Sequence, residues 1–558
     1  MADRGQEMER VGFPAGTRAR RAALIAVALV GTSALTGGLI AAAGQDEPQA
    51  PERQAVQRNE PLPLVELVSA GGVGRLYTVD LAEARKAVQN GMKRAAGQVG
   101  YLPSAPFEGS APMYRLKPSA TASGWLFTAS TAERDTLLGK GWVDEGVAAH
   151  LYPQAGPGLV PLLRFSNGKE WRLALESRKD ELVNAGYKVD GRLGFTHSTW
   201  FRAGAVYFGM FNINGHQRII QRTKEVYGRE GDWWGGVRDF KNGTHYAKDN
   251  WPNEDFSYLE PSMGYYDDSN PATLEKHIDQ ATSAGLSFFN FYWYWDSKNG
   301  RPSVTGASLD AFFKARNTNN IDFTIGLCAH PFDGLKIPTS QFDAVADTLT
   351  GYLAKENTLR TNDGRKILNI CDARGLGDGK PEQIKRFADT VRAKAKAAFG
   401  ESIYVMINQA GFDPKQVPAA GGNAAYCTTD GPGVEGRSYQ KYLDKQRDFF
   451  AAAPGAYSRC VMSDFDERPR YPIENADVKA IRWMPDASFD NFRKAVRNVR
   501  ADATNSTRPP EVDNLVYVYA WNEWHEGGVV EPSKRDGCRF LDVLREELRL
   551  TKGAGCTS

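Results

Sequence analysis

Leu274-Glu-Lys-His-Ile-Asp-Gln-Ala-Thr-Ser-Ala-Gly285-Leu-Ser287-Phe-Phe-Asn-Phe-Tyr-Trp-Tyr-Trp295 sets a helix directly before a strand. Leu274 to Ala284 reads as the helix and Gly285 ends it. Ser287 to Trp295 is an unbroken aromatic and apolar run, the pattern of a strand buried on both faces. The alternation recurs on both sides of this unit. Val206 to Phe211, Phe323 to Cys328, Ile367 to Cys371, Ile403 to Asn408 and Leu515 to Ala520 read as strands. Ala311 to Arg316, Phe342 to Lys355 and Pro381 to Phe399 read as helices. Strands alternating with helices predict an α/β domain with a parallel sheet over residues 203–558, most economically a (β/α)8 TIM-like barrel. An open doubly wound sheet is the alternative, but no Gly-x-Gly-x-x-Gly or P-loop pattern supports it.

In a barrel of this kind chemistry sits where the strands end. The last strand runs straight into Trp521-Asn-Glu-Trp-His-Glu-Gly-Gly528, with Glu531-Pro532 beyond. Glu523 and Glu526 lie three residues apart among Trp521, Asn522, Trp524 and His525. On an extended chain such residues point to opposite sides, so Gly527 and Gly528 are expected to bend the chain and bring both carboxyls to one cleft. Paired carboxyls among aromatic faces and amide donors suit a carbohydrate-active enzyme, in which one carboxyl protonates the leaving oxygen and the other manages the developing charge.

Ahead of the barrel, three segments open with Pro63-Leu-Val-Glu-Leu, Pro112-Met-Tyr-Arg-Leu and Pro161-Leu-Leu-Arg-Phe, a regular repeat. Each continues through a short strand (Leu76-Tyr77-Thr78, Leu126-Phe127-Thr128, Arg172-Leu173-Ala174), a helix pattern and a closing strand. Residues 61–197 are therefore expected to form a small pseudo-threefold α+β module whose units bury their apolar faces together. A sugar- or wall-binding role and a purely structural spacer are equally open for it.

At 558 residues the chain exceeds one compact core, and its charge is nearly balanced, 69 basic against 67 acidic residues. That balance makes no case for nucleic acid or an anionic membrane surface as a partner. Arg18, Arg20 and Arg21 precede a stretch without charge, Ala22 to Ala43, which reads as an export signal over residues 1–43, cleaved near Ala41-Ala42-Ala43. An uncleaved signal anchor is the alternative, and only then does a membrane enter. Residues 44–60 read as a flexible linker. All six cysteines fall in the C-terminal half. Cys538 with Cys556 and Cys427 with Cys460 are candidate disulfides, whereas Cys328 and Cys371 can equally be buried thiols.

The string Trp-Asn-Glu-Trp-His-Glu-Gly resembles glycoside hydrolase family 99 and the family 99-like, WbsX-like domains. So do Asp232-Trp-Trp-Gly, Pro261 with Gly264-Tyr265-Tyr266-Asp267, Phe291-Tyr-Trp-Tyr-Trp295 and Asp464-Phe-Asp-Glu-Arg-Pro-Arg470. The repeats resemble a short domain appended to many secreted bacterial proteins. The family resemblance implies an exported hydrolase that cleaves an α-linked, mannose-containing glycan with retention. It implies Glu523 as the base that helps the sugar 2-hydroxyl attack its own anomeric carbon, and Glu526 as the acid and then the base for water. Trp233, Trp234, Tyr265, Tyr266, Trp293 and Trp295 are candidate stacking rings, the last two sharing one strand face. His330, Asp333, Asp466, Arg470, Asn522, Trp524 and His525 are candidate hydroxyl-binding or orienting groups. Where many relatives carry Ala-Asn-Glu-Asn-Trp, this chain has Ala329-His-Pro-Phe-Asp333, which opens the question of the substrate. No cofactor or metal is implied. The rivals are a glycan-assembly transferase of the same domain class and a non-catalytic surface carbohydrate-binding protein.

Overall fold

Eight short strands account for the alternation: β1 (Arg202–Tyr207), β2 (Phe288–Trp293), β3 (Asp322–Cys328), β4 (Ile367–Asp372), β5 (Tyr404–Asn408), β6 (Ala424–Tyr426), β7 (Tyr457–Met462) and β8 (Leu515–Tyr519). Each pairs in parallel with the next, and β8 closes on β1 through Gly204 opposite Tyr517. The (β/α)8 barrel predicted from the alternation is thus present. The computed structural model describes residues 60–556, apart from 123, 213–216, 228–232, 244, 304, 332–333, 409–411, 429–437, 454, 475–477, 505 and 552. The expected export signal, and the linker up to residue 59, lie outside the described residues.

Local chemistry sets the element ends. Asn270 caps the helix Pro271–Ser283, its side chain accepting from the Ala272 N–H, and Pro271 fills a first-turn position where no N–H is needed. Gly400 ends the 19-residue helix Pro381–Phe399 in the left-handed region, φ 73°. Along the strands, alternate residues face the barrel interior. The Asn369 amide of β4 there donates to Asn290 Oδ1 of β2 at 3.2 Å and to the Tyr517 hydroxyl of β8 at 2.9 Å. This polar layer spans the barrel below its C-terminal mouth. Two strands were not anticipated: β6 is only three residues long, and β7 carries Arg459, buried and paired with Asp502 at 2.7 Å and Asp513 at 3.1 Å.

Three disulfides link the cysteines. Cys427–Cys460 and Cys538–Cys556 are the expected pairs, and Cys328–Cys371, left open in the sequence, ties β3 to β4.

In the module, three strand–strand–helix–strand units run through 62–102, 111–151 and 159–197, the first strand of each lying between its second and last. Tyr77, Phe127 and Leu173, at matching places of the three units, meet in one core. Ion pairs stitch unit to unit: Arg115 to Glu83 at 2.8 Å, Arg164 to Glu133 at 2.9 Å, and Arg172 to Glu66 at 3.3 Å. The helix glutamate of the first two units is Lys179 in the third, and the pair that joins the third unit to the first instead uses Glu66, on the first strand of the first unit. The module meets the barrel through Arg85 with Asp363 and Arg94 with Glu511 at 3.7 Å. Those two acids precede β4 and β8, so the contact is at the N-terminal end of the barrel.

Phe127 has no exposed surface and packs edge-on against Tyr77 at 5.4 Å. Phe127→Ala is expected to lower stability by about 3–5 kcal/mol, read by denaturant titration as an early transition of the module.

A carboxylate cleft at the barrel mouth

The C-terminal strand ends surround a cleft of about 380 Å³. Phe208 follows β1; Tyr292 and Tyr294 come from the end of β2, and His330 follows β3. Asp372 and Arg374 end β4, Asn408 ends β5, Thr428 follows β6 and Arg470 follows β7. Tyr519 ends β8, and Glu523 and Glu526 lie just beyond it.

The bend at Gly527-Gly528 is a tight hairpin: Asn522-Glu523 pairs antiparallel with Gly528-Val529, and the Glu526 N–H returns to the Glu523 carbonyl at 2.9 Å. Glycine is required at 528, because a Cβ there would meet the Tyr519 ring at 2.6 Å. The hairpin is fastened on three sides. Asn522 takes the Phe208 N–H on Oδ1 at 2.8 Å and donates its amide to the Phe208 carbonyl at 3.0 Å. Glu531, fully buried, accepts from Tyr266 O–H (2.8 Å), Trp524 Nε1–H (2.9 Å) and His277 Nε2–H (3.1 Å). The Asp466 N–H donates to the Glu526 carbonyl at 2.5 Å.

The two carboxyls sit in unlike surroundings. Glu526 accepts from Arg470 Nη1 on one oxygen and from the Tyr519 hydroxyl on the other. Glu523 is 5% exposed, and its carboxyl has no hydrogen-bond donor among the described residues. Burial first, and the neighbouring Glu526 second, push the Glu523 carboxyl well above the usual carboxylate range. Burial thus favours the protonated form of Glu523. Opposite them, Asp372 accepts from His330 Nδ1–H at 2.6 Å and from Arg374 Nε–H and Nη2–H at 3.0 and 2.7 Å. Burial works to raise this carboxyl, but the donors outweigh it and hold it down at about 2.

Of the candidate residues, Glu523, Glu526, His330 and Arg470 are brought together here. The others are not, and Asp333 lies outside the described residues. Trp293 and Trp295 do share a face, but it is the face turned to the helices: they are 1% and 2% exposed, and Trp295 Nε1–H is spent on Gln341 at 2.6 Å. The alternate residues Tyr292 and Tyr294 line the cleft instead. Trp233, Trp234, Tyr266 and Trp524 join Phe211 in a separate aromatic core under the hairpin, with Tyr265 against it. His525 is buried there, donating to the Trp233 carbonyl at 2.5 Å, and burial lowers its pKa to about 3, so the ring is neutral. Asp466 is spent on Arg468 and on the Tyr258 hydroxyl at 2.7 Å. These rings and polar groups pack and bond around the hairpin, outside the lining of this cleft. Tyr292, Tyr294, Tyr519, Asp372, Arg374, Asn408 and Thr428 were not singled out. Strand parity with the carboxylate end of β8 was the one signal that could have found the tyrosines. Among the described residues no group of three or more His, Cys, Asp or Glu could hold a metal ion.

A (β/α)8 barrel with paired glutamates at its C-terminal mouth defines a glycosidase-like architecture. Residues 340–544 match the family model described as Glycosyltransferase WbsX, and residues 63–197 match one described as a domain of unknown function, DUF5648. An uncharacterized protein WxcX of Xanthomonas campestris pv. campestris (strain B100) is 23% identical over 365 residues, 57% of this chain and 47% of that protein. The chain thus spans about half the length of the curated relative it matches. Residues 340–544, the C-terminal part of the barrel, are thus similar to the WbsX family. Among solved structures, a "glycoside hydrolase-like protein" is 15% identical, covering 63% of this chain and 94% of its own, with a TM-score of 0.43. The family 99 endo-α-mannosidase of Bacteroides thetaiotaomicron is 14% identical, covering 63% and 98%, at 0.39. These two likenesses add nothing to the fold described above.

Two outcomes are expected. Glu531→Ala strands three buried donors and is expected to cost at least about 3 kcal/mol, read by thermal melting. Glu523→Gln removes a buried ionisable group whose folded pKa is raised. The protonated wild type keeps its full stability below the unfolded carboxylate range and loses it as pH rises through the raised value. The amide variant is therefore expected to melt with the wild type near pH 4 and above it at pH 8, and equal melting at both would show that burial imposes no such cost.

Proposed function

We propose that the chain is an exported glycoside hydrolase that cleaves an α-linked, mannose-containing glycan with retention, using Glu523 and Glu526. The observation that carries this reading is the pair itself: two carboxyls on one hairpin at the barrel mouth, one desolvated and one held by Arg470 and Tyr519. Three disulfides support folding in an oxidising compartment, and thus export.

In the reaction implied by the family resemblance, Glu523 takes the proton of the sugar 2-hydroxyl as that oxygen bonds to the anomeric carbon. The glycosidic C–O bond breaks, and the leaving oxygen takes a proton from Glu526. Water then adds to the anomeric carbon, giving its proton to Glu526, while Glu523 returns its proton to the reopening 2-oxygen. Two inversions leave the configuration retained. This cycle begins with one proton on the pair, seated on Glu526; burial favours the proton on Glu523, so the bound sugar has to move it across before the first step. The WbsX model's description favours a second outcome, in which the hydroxyl of another sugar replaces water and the glycan is transferred.

The test is product release from α-mannans, α-glucans and bacterial wall glycans by wild type, Glu526→Gln and Glu523→Gln, with proton NMR of the first anomer formed. Both variants are expected to lose about 100-fold or more in turnover. An activated leaving group needs no acid, so it should restore the variant that has lost the acid and not the other, which assigns the roles. The rate is expected to be bell-shaped in pH, with an alkaline limb well above the carboxylate range as the shared proton is lost. Lengthened chains would replace hydrolysis with transfer. A glycan bound equally by all three proteins and never cut would leave a binding protein.

A further inference from the structure

In a closed ring of eight strands, β4 stands across from β8, so the wall built by β3 and β4 faces the glutamates. That wall is braced by a disulfide and by hydrogen bonds between the strand ends. Cys328–Cys371 joins the two strands one residue below Asp372. The Ala329 N–H donates to the Asp372 carbonyl at 2.9 Å, and the Gly375 N–H to the Ala329 carbonyl at 2.7 Å. Gly375 packs so tightly that a Cβ would meet the His330 carbonyl at 2.3 Å.

On this frame Asp372, 4% exposed, gathers two cleft-lining side chains: His330 (26% exposed) and Arg374 (49% exposed). Arg374 binds the carboxylate as a fork and adds its own backbone N–H at 2.9 Å. The guanidinium charge is thus cancelled within the wall, and its orientation is set. Across the cleft the Arg470 charge is likewise cancelled by Glu526. Tyr294, with its ring 5.6 Å from that of His330, supplies the apolar face beside these groups.

Resting on the glycan reading above, we infer that Asp372 determines which sugars the cleft accepts. By holding Arg374 and His330 it makes the wall facing the glutamates a fixed, charge-cancelled set of polar groups, in which the Arg374 N–H groups donate and the His330 ring, its Nδ1–H given to Asp372, offers Nε2 as an acceptor. Such a wall fits the hydroxyl and ring oxygens of a neutral sugar, and it withholds the uncommitted guanidinium that a uronic or phosphorylated sugar needs. An acidic sugar would have to take Arg374 from a carboxylate already bonded to it, while facing the charge of Glu526.

The experiment uses the full chain carrying Glu523→Gln, so that nothing is cut and the Arg470–Glu526 pair is kept. Binding is measured to neutral manno- and gluco-oligosaccharides and to uronic-acid oligosaccharides, with and without Asp372→Asn. The neutral set is expected to bind about ten-fold or more better. Asp372→Asn is expected to weaken neutral binding and to strengthen uronate binding several-fold, because Arg374 is then uncompensated. Adding Arg374→Gln, at a half-exposed site that folding tolerates, is expected to abolish that gain. A merely structural role for Asp372 would weaken both classes together and give no gain. An unchanged neutral-to-acidic ratio, or tighter uronate binding by the parent, overturns the inference. If the ratio moves but the wild type cuts nothing, the hydrolase reading falls and this one stands; if a glycan is cut and the ratio stays, the reverse holds. Retention of neither class overturns both.

Discussion

The Asn522 side chain bonds to the backbone of Phe208 as a strand would, its amide taking the N–H and giving to the carbonyl. The β8–β1 pairing that closes the barrel is thereby carried past the end of both strands, into the hairpin. Everything in the cleft depends on this. Without it the turn after β8 would be an ordinary surface loop, held only at its base, and Glu523 and Glu526 would take up many positions. Glu531 and its three donors, and the Asp466 N–H on the Glu526 carbonyl, press the same hairpin from the other sides. The aromatic core beneath it excludes water and supplies the N–H and O–H groups that Glu531 collects.

A buried carboxyl with no donor is costly, and the fold keeps one at Glu523 while surrounding it with carefully satisfied groups. His525, two residues on, is neutral and bonded; Asp466 is neutralised by Arg468; Asp372 is held by His330 and Arg374. Strain concentrated at one group in a cleft of otherwise satisfied ones marks a site where protonation is meant to change. Burial is the first cause of the Glu523 shift, and Arg470 and Tyr519 make their hydrogen bonds to Glu526 alone.

The barrel was legible because five of its eight strands lie in mainly apolar runs separated by helices. By contrast β1, expected at Val206 to Phe211, runs over Arg202–Tyr207, four residues earlier. The helix Pro381–Phe399 was placed to the residue. β6 was missed because three residues are too few for a pattern. β7 was missed because Arg459 interrupts it, and only the fold shows that Asp502 and Asp513 neutralise that charge. In the cleft, the glutamates were legible from spacing, but the aromatic partners were drawn from the wrong parity. Trp293 and Trp295, expected to share one strand face, were read together among the candidate stacking rings. Size in a strand goes where the space is, between sheet and helices, while the interior face of a barrel narrows and takes tyrosine with its hydroxyl toward the ligand. Residues such as Asp372, Asn408 and Thr428 carried no local signal, because their role arises only when distant strand ends converge.

The module's place follows from the same geometry. Arg85 and Arg94 reach acids that precede β4 and β8, so the module rests on the end of the barrel where strands begin. Chemistry in this architecture belongs to the other end, with the length of every strand between. The module's contacts can therefore add to the barrel's stability and fix its placement, yet they do not shape the cleft. Its own three-unit core and its ring of ion pairs form within residues 62–197, independent of any barrel residue. Any ligand held by the module would be held apart from the glutamates, at the opposite end of the barrel.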